Sequence, residues 1–204
     1  DLPIIGVSHN LTIVKIKNSY PGHAIKVAHT LWGAGQMMFN KILVVVDESQ
    51  NIHDYKTLIK HICNSVDIDK DIFFSKGPLD LLDLASDEMA FGGKMLIDAT
   101  NTSENNKCSE NLSIPNLCNS NPEIIKIIAG EYPGFFVQIK KNLNINVKSF
   151  VENNKNIFQN KDIKFICFTD VDISVFSDSQ KLWYILNNID PVRDIFTIGN
   201  YNSS

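Results

Sequence analysis

The residues of this chain that could do chemistry are five histidines, a Gly-Gly-Lys triplet, four cysteines and aspartates at the ends of apolar runs. His23 follows Pro21-Gly22 at the start of a helical stretch, and imidazole titrates near neutral pH, so a base is one reading. The position favours the other reading, a helix-start residue bonding backbone groups. His9 stands before the first strand, His29 on a more polar helix face, His53 at the start of the second helix and His61 within it. No pair of them has metal-ligand spacing with a carboxylate companion, so the sequence predicts no metal site. Gly92-Gly93-Lys94 offers backbone donors and an ammonium, as phosphate-binding loops do. It lacks the upstream glycine and the following Ser or Thr of a P-loop, so the glycines are expected to permit a bend into a strand at 95–98. No Gly-x-Gly-x-x-Gly follows a strand, which argues against a dinucleotide site.

Carboxylates recur at predicted strand ends: Asp47, Glu48, Asp98, Asp170 and Asp172. Open α/β sheets bind ligands at such ends. Asp47 and Asp170 occur at matching places in both halves of the chain, which suits turn or cap residues, and Asp67 and Asp190 read as starting turns before strands. Cys63 and Cys167 lie among apolar residues as small core fillers. Cys108 and Cys118, ten residues apart in a polar stretch, lack the close pairing of a zinc site. Met37-Met38-Phe39 is an apolar helix end suited to core packing or a subunit interface. No Ser-His-Asp, Cys-His or paired-glutamate constellation assembles. These residues alone therefore predict no catalytic, cofactor-binding or metal-ligating position.

The elements that must hold these residues follow from periodicity. Residues 11–17 alternate as a strand, and Ala24, Val27, Ala28, Leu31 and Gly35 fall at helical spacing. The run 41–47 is β-branched and reads as a buried strand. Tyr55, Leu58, Ile59, Ile62 and Val66 mark a second helix, and 71–74 a short strand. The order is β-α-β-α-β. A gapless shift of 123 residues then lays Lys41 on Lys164, Asp47 on Asp170, Asp67 on Asp190 and Asp71-Ile72-Phe73 on Asp194-Ile195-Phe196. Residues 12–75 and 135–198 thus read as two copies of one unit. Between them 101–122 is rich in Asn and Ser and reads as a linker. Residues 123–129 read as a short amphipathic helix, capped by Asn121 before Pro122. The expected fold is α/β: two related β-α-β-α-β units, each a small mixed sheet with helices packed on one face. The expected domains are 1–103, a linker 104–122, and a second, diverged copy at 123–204.

With 204 residues, 44% of them hydrophobic and 21% charged, the chain can bury a sizeable core. A net charge of −4 argues against nucleic-acid binding. The longest apolar run is strand-sized, so no transmembrane segment is predicted. The absence of a secretory signal and the unpaired cysteine pattern suit the cytoplasm. Asp1-Leu2-Pro3 reads as mid-protein sequence, so a fragment is expected.

Several motifs occur in one order: Gly6-Val7-Ser8-His9-Asn10-Leu11, Tyr20-Pro21-Gly22-His23-Ala24, Leu31-Trp32-Gly33-Ala34-Gly35-Gln36-Met37-Met38-Phe39, Val44-Val45-Val46-Asp47-Glu48, Gly77-Pro78-Leu79-Asp80, and Gly92-Gly93-Lys94-Met95-Leu96-Ile97-Asp98-Ala99-Thr100-Asn101. Over roughly residues 4–102 the chain resembles the carboxy-terminal domain of the UbiD family of decarboxylases. The Leu-Trp-Gly variant and the doubled tail look most like its longer branch, associated with menaquinone biosynthesis. The resemblance implies non-oxidative, reversible decarboxylation of aromatic or α,β-unsaturated acids on prenylated flavin mononucleotide, with a divalent metal and potassium at the flavin phosphate. In the family those groups lie in an amino-terminal flavin domain. This chain would then be inactive alone, shaping the cleft and supporting a homo-oligomer. By the same resemblance Leu79 is the apolar side chain expected at the substrate-pocket wall. A basic residue that reaches the flavin phosphate in some members falls near Ala34 here. Two other readings stand beside this one: a stand-alone assembly or binding module, and a nucleotide binder using Gly92-Gly93-Lys94.

Overall fold

The computed structural model describes residues 9–101, 122–129, 134–140, 146–158 and 163–198. They form two compact units, one of residues 1–106 with Ser177–Thr197, the other of Lys107–Phe176 with Ile198–Ser204.

The first unit carries a four-stranded mixed sheet in the order β1-β2-β4-β3. β1 (Leu11–Ile16) and β4 (Phe91–Ala99) flank β2 (Ile42–Asp47) in parallel, and β3 (Ile72–Pro78) closes the edge antiparallel to β4. Ile42 to Val46 is buried at every position because helices cover both faces of the sheet, not one as the sequence predicts. On one face Leu43, Val45 and Leu96 meet helix α1 (His23–Trp32), whose small Ala24 and Ala28 allow close approach. On the other, Val44, Val46 and Ala99 meet α2 (Tyr55–Ser65) through Leu58, capped by Asp54 on the Thr57 N–H. Further along that face Ile42 and Met95 pack on Leu186 of helix α5 (Asp178–Asn188), with Leu182 and Ile189 beside it. Each such fully buried side chain contributes about 1.5–3 kcal/mol of transfer free energy.

The second unit has its own three-stranded mixed sheet in the order β5-β6-β7, so the sheets are separate. β6 (Gly134–Ile139) runs parallel to β7 (Phe165–Thr169) and antiparallel to β5 (Ile124–Ala129). This overturns the helix expected over 123–129; its proposed cap, Asn121, lies outside the described residues. Ile124, Ile125, Ile127 and Ile128 are β-branched, a stretch this short cannot nucleate a helix alone, and a pairing partner is at hand. Short helices α3 (Val147–Asn153) and α4 (Lys155–Phe158) follow β6, and Phe168 meets Phe150 and Phe158 edge to face while those two rings lie tilted to one another.

At the offset of 123 residues β1 falls on β6, β2 on β7 and α2 on α5. Leu11 faces Ile42 as Gly134 faces Phe165. The caps coincide too, Asp54 with Ser177. Yet Ser177–Thr197, which the offset places in the second copy, packs in the first unit, where α5 finds the Ile42–Met95 surface. Apart from Pro122, the predicted linker 104–122 lies outside the described residues, as do Cys108 and Cys118.

Candidate functional site

A loop of residues 79–91 joins β3 to β4 and is tied at every turn. The Leu79 N–H donates to the Ala90 carbonyl at 2.8 Å, and Ala90 sits at φ 58°, in the left-handed region. Asp80 accepts from the Leu82 N–H at 2.9 Å and Asp83 from the Ala85 N–H at 3.0 Å, two side-chain turns in succession. The Ser86 hydroxyl donates to the Glu88 carbonyl. With its backbone so held, the loop presents Leu81, Leu82, Leu84 and Met89 outward; the last three are 86%, 89% and 87% exposed. Four exposed large apolar side chains on one ordered loop form the kind of patch that marks an interaction surface. Leu79, the residue expected at a pocket wall, is 1% exposed and lies at the root of the loop, against Gly92.

Beneath the loop two lysines are buried. Lys41, immediately before β2, donates to the Leu186 and Ile189 carbonyls at 2.8 and 3.0 Å, and its ammonium forms an ion pair with Asp83 Oδ2 at 2.6 Å. It joins the loop, the sheet and the C-terminal end of α5. Lys94 in β4 donates to the Met38 and Asn40 carbonyls at 2.7 and 2.5 Å and stands 5.8 Å from the Trp32 ring centre. Burial pulls its pKa down to about 8.

Asp190 completes the arrangement. Its Oδ2 accepts the Gly93 N–H at 2.7 Å, and its Oδ1 accepts the Val192 and Arg193 N–H groups, capping helix α6 (Pro191–Asp194). Burial pushes this carboxyl up, but the Gly93, Arg193 and Val192 donors outweigh it and hold the group below the usual range. A Cβ on Gly93 would strike Asp190 Oδ1, and one on Gly92 would lie 2.7 Å from Ser86 Cβ. The two glycines therefore lie inside β4, and close approach rather than a bend requires them. The Gly93 donor and the Lys94 ammonium are both spent internally, which removes the phosphate-loop reading. Arg193 also reaches Asp87 on the loop at 2.5 Å.

The other predicted residues scatter. His9 adopts φ 71° and pairs with Asp80 Oδ2 at 2.7 Å, while its carbonyl accepts from Lys41 N and Asn40 Nδ2. His23 stacks on Tyr20 at 4.4 Å, and its Nδ1 is buried with no hydrogen-bond partner, so its ring does not bond backbone there. His29 meets the Phe73 ring edge-on, His53 precedes α2, and His61 Nε2 lies 3.0 Å from the Ala99 carbonyl. Asp47 accepts the Ser49 N–H; Asp98 holds Thr100; Asp172 holds Ser174 and Lys126. Glu48 and Asp170 follow the ends of β2 and β7. Met37, Met38 and Phe39 form a half-buried 3₁₀ turn, with Ala34 exposed just before it. Neither Cys63 nor Cys167 is in a disulfide among the described residues, and burial lifts the Cys167 thiol to about 11. Among the described residues no three His, Cys, Asp or Glu side chains converge as a metal site, and no helix is long and apolar enough to cross a membrane.

Sequence reasoning missed Lys41, Asp83 and Lys94 as a set. The signal was a lysine abutting a wholly apolar strand and an aspartate between two leucines. Both patterns place a charge where it must be paired or costs several kcal/mol, roughly. Chemically the arrangement supplies shape: it fixes an apolar surface and spends its polar groups inside.

Three comparisons bear on this surface. The family model described as the 3-octaprenyl-4-hydroxybenzoate carboxy-lyase C-terminal domain matches residues 1–99 and 107–204. An uncharacterized protein of Helicobacter pylori strain J99 is 32% identical over 213 residues, covering 96% of this chain and 33% of that protein. An uncharacterized protein of Aquifex aeolicus is 48% identical over 99 residues, 48% of this chain and 20% of that protein. The chain thus spans about a third or less of these relatives' lengths. Among solved structures, the open form of vanillic acid decarboxylase from Sedimentibacter hydroxybenzoicus is 26% identical, covering 54% of this chain and 25% of that one at a TM-score of 0.44. The UbiD-class enzyme HmfF from Pelotomaculum thermopropionicum, solved with FMN, is 25% identical, covering 53% and 24% at 0.41.

Proposed function

The chain belongs to the family of the 3-octaprenyl-4-hydroxybenzoate carboxy-lyase C-terminal domain, and from that premise we propose that it forms the closing wall of a UbiD-type decarboxylase. The substrate class is an aromatic or polyprenyl acid of quinone biosynthesis, menaquinone in the first instance. The wall faces an amino-terminal flavin domain of a cytoplasmic homo-oligomer. The observation that carries the reading is the leucine loop, a rigidly tied segment whose apolar side chains have no cover in this unit. The length of the relatives, mostly outside the matched third, supports a partner domain. The recurrence at 123 residues supports a doubled ancestral unit, and we read 123–204 as its diverged second copy.

Prenylated flavin mononucleotide, with a divalent metal and potassium, would supply the electron sink for decarboxylation where it is bound. The described residues do not fit that group. Gly93 and Lys94, which would cradle a phosphate, are committed to Asp190 and to the Met38 and Asn40 carbonyls. The cofactor and catalytic groups are therefore assigned to the flavin domain. This chain's contribution is to exclude water and present apolar contact, with Leu79 fixing the root of the wall and Leu81, Leu82 and Leu84 forming its face.

The test is release of labelled carbon dioxide from carboxyl-labelled 4-hydroxybenzoate and related aromatic acids. The full-length gene product loaded with prenylated flavin should release it; the 204-residue chain should release none and bind no flavin by its absorption spectrum. Turnover by the chain alone would overturn the assignment. No release by the loaded full-length product on any aromatic or polyprenyl acid would favour an assembly module.

A further inference from the structure

We propose that Lys41, Asp190 and Arg193 are positioning residues for the leucine loop, so that the segment 177–197, a part of the second copy by the sequence offset, sets the shape of the wall built by the first. The inference rests on the reading of that loop as a cleft wall. Three separate attachments carry it, and each joins 177–197 to a different part of the loop or its root. Lys41 takes the carbonyls that end α5 and also Asp83, whose other oxygen holds the Ala85 N–H. Asp190 takes the Gly93 N–H where the loop re-enters the sheet, and leaves no room for a side chain on Gly92 between itself, Ser86 and Leu79. Arg193 takes Asp87 near the loop tip. Only the last is exposed; the first two sit where water does not compete, so their geometry is enforced. The loop's own turns hold its backbone locally, but Leu81, Leu82 and Leu84 point outward and add little packing, so these ties are what fix the loop against the sheet. A rigid presentation spares the entropy of ordering the loop when a partner or substrate arrives.

Site-resolved amide hydrogen exchange of the 204-residue chain tests this. Lys41→Met should speed exchange at the Leu82, Ala85 and Phe91 amides by about 10-fold or more, and its lost global stability should also speed the buried Ile13 and Val45 amides in β1 and β2. Lys41→Met combined with Asp83→Asn removes the stranded charge, so the chain regains global stability; the Ile13 and Val45 amides should return towards wild-type rates, yet loop exchange should stay fast. Arg193→Gln, at an exposed position that folding tolerates, should give about a threefold acceleration confined to the loop. Equal acceleration of loop and sheet in the double variant or in Arg193→Gln, restored loop protection in the double variant, or unchanged loop rates in Arg193→Gln would each overturn the proposal. Exchange reads the clamp and carbon dioxide release reads the wall, so one can fail while the other stands.

Discussion

Asp67 and Asp190 stand 123 residues apart and make the same local bonds. In each turn the first aspartate's N–H donates to the carboxylate four residues on, Asp71 or Asp194, and that residue's N–H donates back to the first one's carbonyl. In each, the first carboxylate also takes an N–H two residues on, from Asp69 or Val192. The surroundings then diverge. Asp67 is partly exposed and pairs with an exposed Lys70, whereas Asp190 is buried and reaches the Gly93 N–H in a strand. The difference teaches that a short motif reproduces its own hydrogen bonds wherever it occurs, and that the packing around it decides whether it ends a turn or clamps a loop.

Five measurements break or sharpen this contrast. The largest effect belongs to the clamp's cation: Lys41→Met strands Asp83 in the interior and should cost about 3–5 kcal/mol by urea denaturation. Next, Asp190→Ala removes three backbone acceptor bonds and a cap, about 2–3 kcal/mol, while Asp67→Ala should cost about 0.5–1 kcal/mol. Equal losses would erase the distinction between the turns. Both carboxyls are held below their ordinary range, Asp67 mainly by the Lys70 hydrogen bond and Asp190 by backbone donors that outweigh burial. Their stabilisation is therefore present above the unfolded pKa near 3.8 and is lost as pH falls through the folded values. The acid loss should shrink in both Asp190→Ala and Asp67→Ala.

Lys94 has the opposite sign. Its folded pKa of about 8 lies below the model-compound 10.5, so between those values the unfolded chain binds more protons and stability rises with pH. Lys94→Met should lack that rise in melts taken at pH 8 and 10. The smallest effect on stability is expected at the wall itself. Leu84→Ser should change unfolding free energy by less than about 0.5 kcal/mol, because the side chain is already in water. In the loaded full-length product the same change should still lower carbon dioxide release, which separates a functional surface from a packed one.

Much of this was legible in the chain. The wholly apolar Ile42 to Val46 announced a buried strand, and the spacing of Ala24, Val27, Ala28 and Leu31 announced a helix. The motifs around Gly77-Pro78-Leu79 pointed to the loop, though the exposed leucines follow Leu79 and do not include it. The stretch 123–129 was misread because isoleucines on successive positions suit a strand as readily as one face of a short helix, and only a partner strand arbitrates. The Gly92-Gly93 pair was misread because a glycine needed for close approach and one needed for a bend look alike in sequence.

Local propensity and periodicity, which act over a few residues, determined the strands, helices, caps and aspartate turns. Tertiary structure alone decided that α5 lies on the first sheet, that Lys41 ends it, and that Asp190 meets Gly93. Those pairings join residues about a hundred or more positions apart; they follow from which buried surfaces fit one another, a property of the assembled core that no window of sequence contains.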